Sequence, residues 1–340
     1  MATQTAPAPV TRARVISSSR RTLITAIVLG LLAIALPFIP PFTGQDYQRY
    51  LVVAALVAAE AVAFDFTGGY IDIVNFGFAA FVGLGAYTSA LLAVDFGITP
   101  WIGMFAGAIV SGFLGLLTGM LTLRLRGIYA AVMAWFIGLA LMGLARNLVD
   151  VTRGMLGLNV PRLLTTSDNL PYYYIILAML FLTLIVLSLI IRSRLGLAFR
   201  AIGQNVQAAR ASGINPTRFL VINFTVSCAF AGLFGGFYAH YYGILTPDVM
   251  AMVHTIEVLT VAYIGGRGSL WGAAIIAFPL TIGVELMRTS LASLPGVHLI
   301  FYGILLVLVM IFQPGGLAGL LRRAGAWLDS RKPTQASFEA

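Results

Sequence analysis

The chain has 340 residues, of which 59% are hydrophobic and 10% charged, with a net charge of +9; its mean hydropathy is +0.94. Soluble domains carry about 25% charged residues, so this composition excludes a soluble globular fold and predicts an all-α, polytopic bundle of about eight to ten transmembrane spans. Nucleic acid is excluded as a partner, because the basic residues fall in the gaps between apolar blocks and no soluble stretch is long enough to present a basic face.

The N-terminal residues 1–21, with Arg12, Arg14, Arg20 and Arg21, read as a cytoplasmic tail before an apolar run from Leu23 to Ile39. Ala33-Ile34-Ala35 resembles a cleavage site, but the run is long enough to be kept as a first span. Further spans are expected near 50–66, 74–94, 100–123, 127–147, 171–191, 219–243, 255–265, 271–289 and 297–313, after a first at 22–40. The third, eighth and ninth are short or glycine-rich, which suits broken or re-entrant helices. Together they make one transmembrane domain over 22–320, followed by a tail at 321–340. With both ends inside, sixteen of the 21 basic residues are cytoplasmic: Arg12, Arg14, Arg20, Arg21, Arg124, Arg126, Arg192, Arg194, Arg200, Arg210, Arg218, Arg267, Arg322, Arg323, Arg331 and Lys332. This is the positive-inside bias, and it puts the polar gap from Asp150 to Pro171 outside.

Glycine pairs at helical spacing, Gly103/Gly107, Gly115/Gly119 and Gly232/Gly236, predict close helix crossings in lipid. Glu60, Glu257, Glu285 and Arg288 are the ionisable residues expected within the bilayer, where each needs a cavity or a partner. Glu285 and Arg288, three apart, are expected to pair. Glu60 has no local partner and reads equally as a packing contact or a path-lining residue. His240, His254 and His298 are widely separated and read as interfacial polar residues rather than metal ligands. The lone lysine, Lys332, precludes a phosphate-binding P-loop, and no catalytic constellation appears. A single cysteine, Cys228, precludes an intramolecular disulfide.

The segment from Arg192 to Arg218 holds five arginines and no acid. Within this basic cytoplasmic loop, Ile202, Val206 and Ala209 fall at i, i+4 and i+7 and predict one short helix with an apolar face. Gly213 is its expected C-terminal cap, and Asn215-Pro216 stops it. Two glycine clusters remain: Asn75-Phe76-Gly77 through Gly83, Gly85, Tyr87 and Thr88, and Gly265-Gly266-Arg267-Gly268. Each reads either as tight packing and a turn or as irregular backbone lining a translocation path.

Four segments in this order resemble the permease subunits of ABC importers for branched-chain amino acids, a family that includes urea and short-amide permeases. The first is matched at Gly77, Ala80, Phe81, Gly83, Gly85, Ala86, Tyr87 and Thr88. The second, the family's cytoplasmic coupling motif, is matched at Gly196, Arg200, Ala201, Ile202, Asn205, Ala208, Ala209, Gly213 and Ile214. Gly265–Gly272 and Gln313–Gly319 supply the others. Three sites depart from the pattern: Asn75-Phe76, Ala134-Trp135 and Thr152-Arg153-Gly154. The resemblance implies a non-enzymatic permease in the plasma membrane of a prokaryote, with no cofactor of its own because partner subunits bind the ATP. The implied partners are a second, homologous permease, two cytoplasmic ATPases and an external solute-binding protein, with lipid around them. ATPase coupling is then expected at Arg194, Gly196, Arg200, Ile202, Asn205, Val206, Ala209, Arg210 and Gly213. The path is expected at Glu60, Asn75, Gly77, Gly83, Gly85, Tyr87, Thr88, Gly265, Gly266 and Gly268. A secondary transporter or channel acting alone, and a scaffold subunit without a path, are the competing readings.

Overall fold

The computed structural model describes residues 30–40, 42–122, 128–166, 168–291, 296–312, 316 and 319. It divides into a small unit, Met1–Gly44, and a large one, Gln45–Ala340. In the small unit a helical stretch from residue 30 ends in a 3-10 turn, Leu36–Phe38, with Pro37 buried. Residues 22–29 of the expected first span, both chain tails and most of the 313–319 motif lie outside the described residues.

The large unit is helical almost throughout. Its elements are α1 (Gln45–Gly68), α2 (Phe78–Asp95), α3 (Pro100–Thr122), α4 (Ile128–Asn147), α5 (Asn169–Arg192), α6 (Arg194–Gln204), α7 (Val206–Ala211), α8 (Pro216–Tyr242), α9 (Met252–Gly265), α10 (Leu270–Ser290) and α11 (Val297–Phe312). Seven of them, α1 to α5, α8 and α10, are long and apolar enough to cross a membrane. A two-residue antiparallel ladder, β1 (Leu158–Asn159) with β2 (Ile244–Leu245), ties the α4–α5 connection to the segment after α8.

Helix α1 is the hub. Small residues at Ala54, Ala55, Ala58, Ala59, Ala61 and Ala63 let neighbours approach on every side, and all six are buried. From α8, the Asn223 amide donates to the Phe66 carbonyl at 2.9 Å and the Ser227 hydroxyl to the Ala63 carbonyl at 2.7 Å. These bonds fix α8 against α1 at a depth where no water competes. The expected glycine pairs do cross helices, in a knot of α2, α3 and α8. A Cβ on Gly85 would strike the Gly232 carbonyl, one on Gly232 the Ser111 side chain, and one on Gly107 the Gly85 carbonyl at 2.6 Å. The outer faces stay apolar and exposed, as at Phe105, Ile109 and Phe113 on α3 and Leu182, Ile185 and Leu189 on α5. That is the surface lipid or a neighbouring subunit requires.

The eighth span is short; the third, α2, is an 18-residue helix and the ninth, α10, a single helix that runs through Pro279. At 14 residues α9 is about 21 Å long, against a hydrocarbon core of about 30 Å. Helices α2 and α9 both begin inside the bundle, where the Ala79 N–H donates to the Thr255 hydroxyl at 3.1 Å. Residues 69–77 reach that depth by leaving the end of α1 and turning back inward. Gly77 lies against the Ala134 carbonyl, seated on α4 within the bundle.

Candidate functional site

Two clusters of polar side chains occupy the large unit, one inside the bundle and one at the end that bears α6 and α7.

The inner cluster gathers around the start of α9. Glu60 of α1 is wholly buried, and its Oε2 lies 3.0 Å from His254 Nε2 without hydrogen-bond alignment. His254 Nδ1 stands 3.9 Å from Glu257 one turn on. Glu257 in turn faces Arg288 of α10 at 3.8 Å, and Arg288 donates to Glu285 at 3.1 Å. The expected Glu285–Arg288 pair is therefore formed. Glu60, without a local partner in sequence, finds one 194 positions away. A carboxylate carried alone into this interior would be strongly disfavoured, so the imidazole is what makes Glu60 tolerable here.

The interfacial reading of the histidines needs correction at two positions. His254 belongs to the cluster just described. His240 is fully buried, with Nδ1 2.7 Å from the Pro161 carbonyl and Nε2 2.8 Å from the Ser89 hydroxyl. A carbonyl only accepts, so Nδ1 carries the proton and Nε2 accepts from Ser89. His240 thus fastens α8 to α2 and to the 160–163 segment that follows β1. Among the described residues no group of three or more His, Cys, Asp or Glu is placed to hold a metal ion.

The residues of the first glycine segment are packed rather than open. The Asn75 carboxamide oxygen accepts the Gly77 N–H at 3.1 Å and sets the turn into α2. Gly83 faces Met250, Gly85 faces Gly232, and the Thr88 hydroxyl returns to the Leu84 carbonyl at 2.8 Å. Tyr87 is buried, and its hydroxyl has no hydrogen-bond partner among the described residues.

The second cluster joins α6 to two loops. Phe199 of α6 is wholly buried, edge-on to Phe66 of α1 at 5.7 Å and to Phe219 of α8 at 6.4 Å. Gly203 has its Cα against the Tyr70 carbonyl, which leaves no room for a side chain. The Arg200 guanidinium lies 5.9 Å from the Tyr70 ring centre. Burial above all pushes the Tyr70 hydroxyl up to about 12, with Asp65 adding to the shift and Arg200 opposing it; the ring meets the cation as a neutral phenol. Arg267 pairs with Asp72 and stacks on Tyr263 at 5.0 Å. Asp72 holds a left-handed backbone, φ +57°, a region that aspartate enters more readily than most non-glycine residues. The buried Asp65 carboxylate accepts the Gly268 N–H at 2.9 Å, while Gly265 abuts Ala273 and Gly272. Gly266 and Gly268 take positive φ, +110° and +72°, so this segment is a turn between α9 and α10. Between these loops and α6 lies an open cavity of about 450 Å³.

Where one loop helix is expected at 203–213, the chain forms two helices, α6 ending at Gln204 and α7 beginning at Val206. The Asn205 side chain accepts from the Gln207 and Ala208 N–H groups at 2.9 and 3.0 Å, so it caps α7 and breaks the run from α6. The break splits the expected apolar face: Ile202 and Ala209 are buried in this chain, while Val206 is 40% exposed. Gly213, at φ +82°, closes α7 as expected, and Arg194 and Arg210 stay exposed. Sequence reasoning missed Asp65, Tyr70, Asp72 and Phe199. Only Asp65 left a trace, as an acid at the end of an apolar run.

A family profile described as "Branched-chain amino acid transport system / permease component" matches residues 47–310. The high-affinity branched-chain amino acid transport system permease protein LivM of Salmonella typhimurium is 27% identical over 324 residues, covering 87% of this chain and 75% of that protein. LivH of Escherichia coli is 25% identical over 295 residues, covering 81% and 95%. BraD of Pseudomonas aeruginosa is 30% identical over 146 residues, covering 43% and 47%. No solved structure matches.

Proposed function

The chain belongs to the branched-chain amino acid transport permease family, and from that premise we propose that it is one of two different permease subunits of an ATP-driven importer for branched-chain amino acids. It is a multi-pass membrane protein, with seven helices suited to crossing and two shorter apolar ones. The α6–α7 end and both chain termini are cytoplasmic in this reading, by the arginine asymmetry; the β1–β2 end is external and meets a solute-binding protein. The exposed apolar faces of the bundle meet lipid and the second permease.

The observation that carries the reading is the way α6 and α7 are held. Phe199, Ile202 and Ala209 anchor the pair to the bundle, while Val206, Gln207, Ala208 and Arg210 point outward. A helix that only joined two spans needs neither a buried aromatic anchor nor a side-chain cap at each start. In this reading the outward face of α7 seats on a cytoplasmic ATPase. Displacement of α6 passes through Gly203 and Arg200 to Tyr70, and so to the 69–77 segment and the inner start of α2. The path runs beside the inner polar cluster, at the interface with the second permease, and Gly77, Gly83 and Gly85 support it by packing.

Two measurements test this. Cysteines placed at Arg210 and at Asn159, probed in intact cells with an impermeant thiol reagent, are expected to label at 159 only; labelling at 210 alone overturns the topology. Proteoliposomes holding this chain, its partner permease and the ATPase are expected to accumulate leucine from a loaded solute-binding protein only with ATP inside the catalytic compartment. Uptake of leucine by this chain alone along an ion gradient identifies a secondary transporter instead, and uptake of urea but not leucine changes the substrate class.

A further inference from the structure

Resting on the transport reading above, we propose that Glu257 and Arg288 form a receptor for the head group of a free α-amino acid, the ammonium meeting Glu257 and the carboxylate meeting Arg288.

Charge balance is the first argument. Glu60, Glu257 and Glu285 face one imidazole and one guanidinium, His254 and Arg288. Even with His254 charged, the cluster keeps one negative charge in excess, and with a neutral imidazole it keeps two. Such an excess beside Glu60, which is wholly buried in a helix suited to crossing the membrane, calls for a cation, and neither oxygen of Glu60 has a hydrogen-bond donor among the described residues.

Geometry is the second. The two carboxylates next to Arg288 are not equivalent. Glu285 takes a hydrogen bond from it at 3.1 Å, whereas Glu257 stands at 3.8 Å, beyond hydrogen-bond length. Glu257 and Arg288 thus present opposite charges side by side, unbonded to each other and 19% and 49% exposed. A zwitterion supplies both missing partners at once: its ammonium donates to Glu257, and its carboxylate accepts from the guanidinium N–H groups that Glu285 leaves free. Val253, one turn before Glu257 on the same helix face and 43% exposed, offers apolar surface to a branched side chain. Urea and short amides carry no formal charge and satisfy neither half of the pair, so the site selects amino acids over amides.

The test is equilibrium binding of tritiated leucine to the full-length chain in lipid nanodiscs, without its solute-binding protein. Leucine is expected to bind, with 3-methylbutylamine and 4-methylpentanoate, each keeping one half of the head group, displacing it at least about tenfold less well, and urea not displacing it. Glu257→Gln and Arg288→Gln are each expected to weaken leucine binding by about tenfold or more, with Arg288→Lys intermediate. The analogue series on the unmodified chain decides the matter even if a variant fails to fold. Equal displacement by leucine and 4-methylpentanoate, displacement by urea, or absence of leucine binding overturns the proposal. ATP-driven leucine uptake by the unmodified complex alongside any of those results removes the head-group site and leaves the transport reading standing; absence of such uptake removes both.

Discussion

Gly85→Leu is expected to remove the folded protein from the membrane. Overpacking an interior normally costs about 1–3 kcal/mol where side chains can yield. At Gly85 the incoming atoms meet the backbone of Gly232, and Gly107 in turn sits on the Gly85 carbonyl. Three helices would have to separate, so the cost lies at or beyond the top of that range, a large share of a typical total stability of about 5–15 kcal/mol. Gly143→Leu is the matched control: a Cβ at Gly143, on α4, has no neighbour within 4 Å. Detergent extraction and size-exclusion chromatography should show Gly143→Leu eluting as the unmodified chain does and Gly85→Leu aggregated or missing. Normal elution and uptake for Gly85→Leu would mean that the α2–α3–α8 crossing is looser than described.

Asp65→Ala is expected to loosen the contact between the two loops of the cluster at the α6–α7 end while leaving the helices in place. The carboxylate is 1% exposed and receives the Gly268 N–H from the opposite loop. Its removal strands that N–H, at about 1–3 kcal/mol, and loosens the 266–268 turn from the end of α1. What remains is the Arg267 bond to the Gly68 carbonyl, long at 3.4 Å, and the exposed Arg267–Asp72 pair, 37% and 64% open to solvent, which contributes at most about 1 kcal/mol. In proteoliposomes the variant complex should assemble, hydrolyse ATP and accumulate little leucine. Unaltered uptake per ATP hydrolysed would show that the 266–268 turn takes no part in coupling.

Helix positions were legible because each span is a long apolar run bounded by arginine, proline or glycine, a signal local in sequence. From the second span onward, the spans expected within the described residues lie within a few residues of the observed helices. The partners of the polar side chains were not legible, because pairing in a bundle joins distant segments: Glu60 with His254, Asp65 with Gly268, Asp72 with Arg267. His240 looked interfacial because it falls near the end of an expected span; the carbonyl and hydroxyl that hold it come from other elements. The glycine segment around Gly83 and Gly85 was recognisable as special, but sequence spacing does not show what each glycine meets; the structure puts Gly83 against Met250 and Gly85 against Gly232. The split between α6 and α7 was readable in principle: Asn205 is a strong helix-capping residue, and it was outweighed by the apolar periodicity running across it.

The central claim is that energy enters this chain from a partner ATPase seated on the outward face of α7. Val206→Asp tests it most directly. Val206 is 40% exposed and lies after the capped break, so the substitution leaves the buried anchors Phe199, Ile202 and Ala209 in place. Ala209→Asp, on the buried side, would damage this chain first and prove less. Co-purification of the ATPase with tagged Val206→Asp chain, measured beside leucine-stimulated ATP hydrolysis, is expected to fall by about tenfold or more, as burial of an unpaired charge in a protein groove requires, while membrane abundance and elution stay unchanged. Full recovery of the ATPase with undiminished stimulation would contradict the account and place the coupling contact elsewhere.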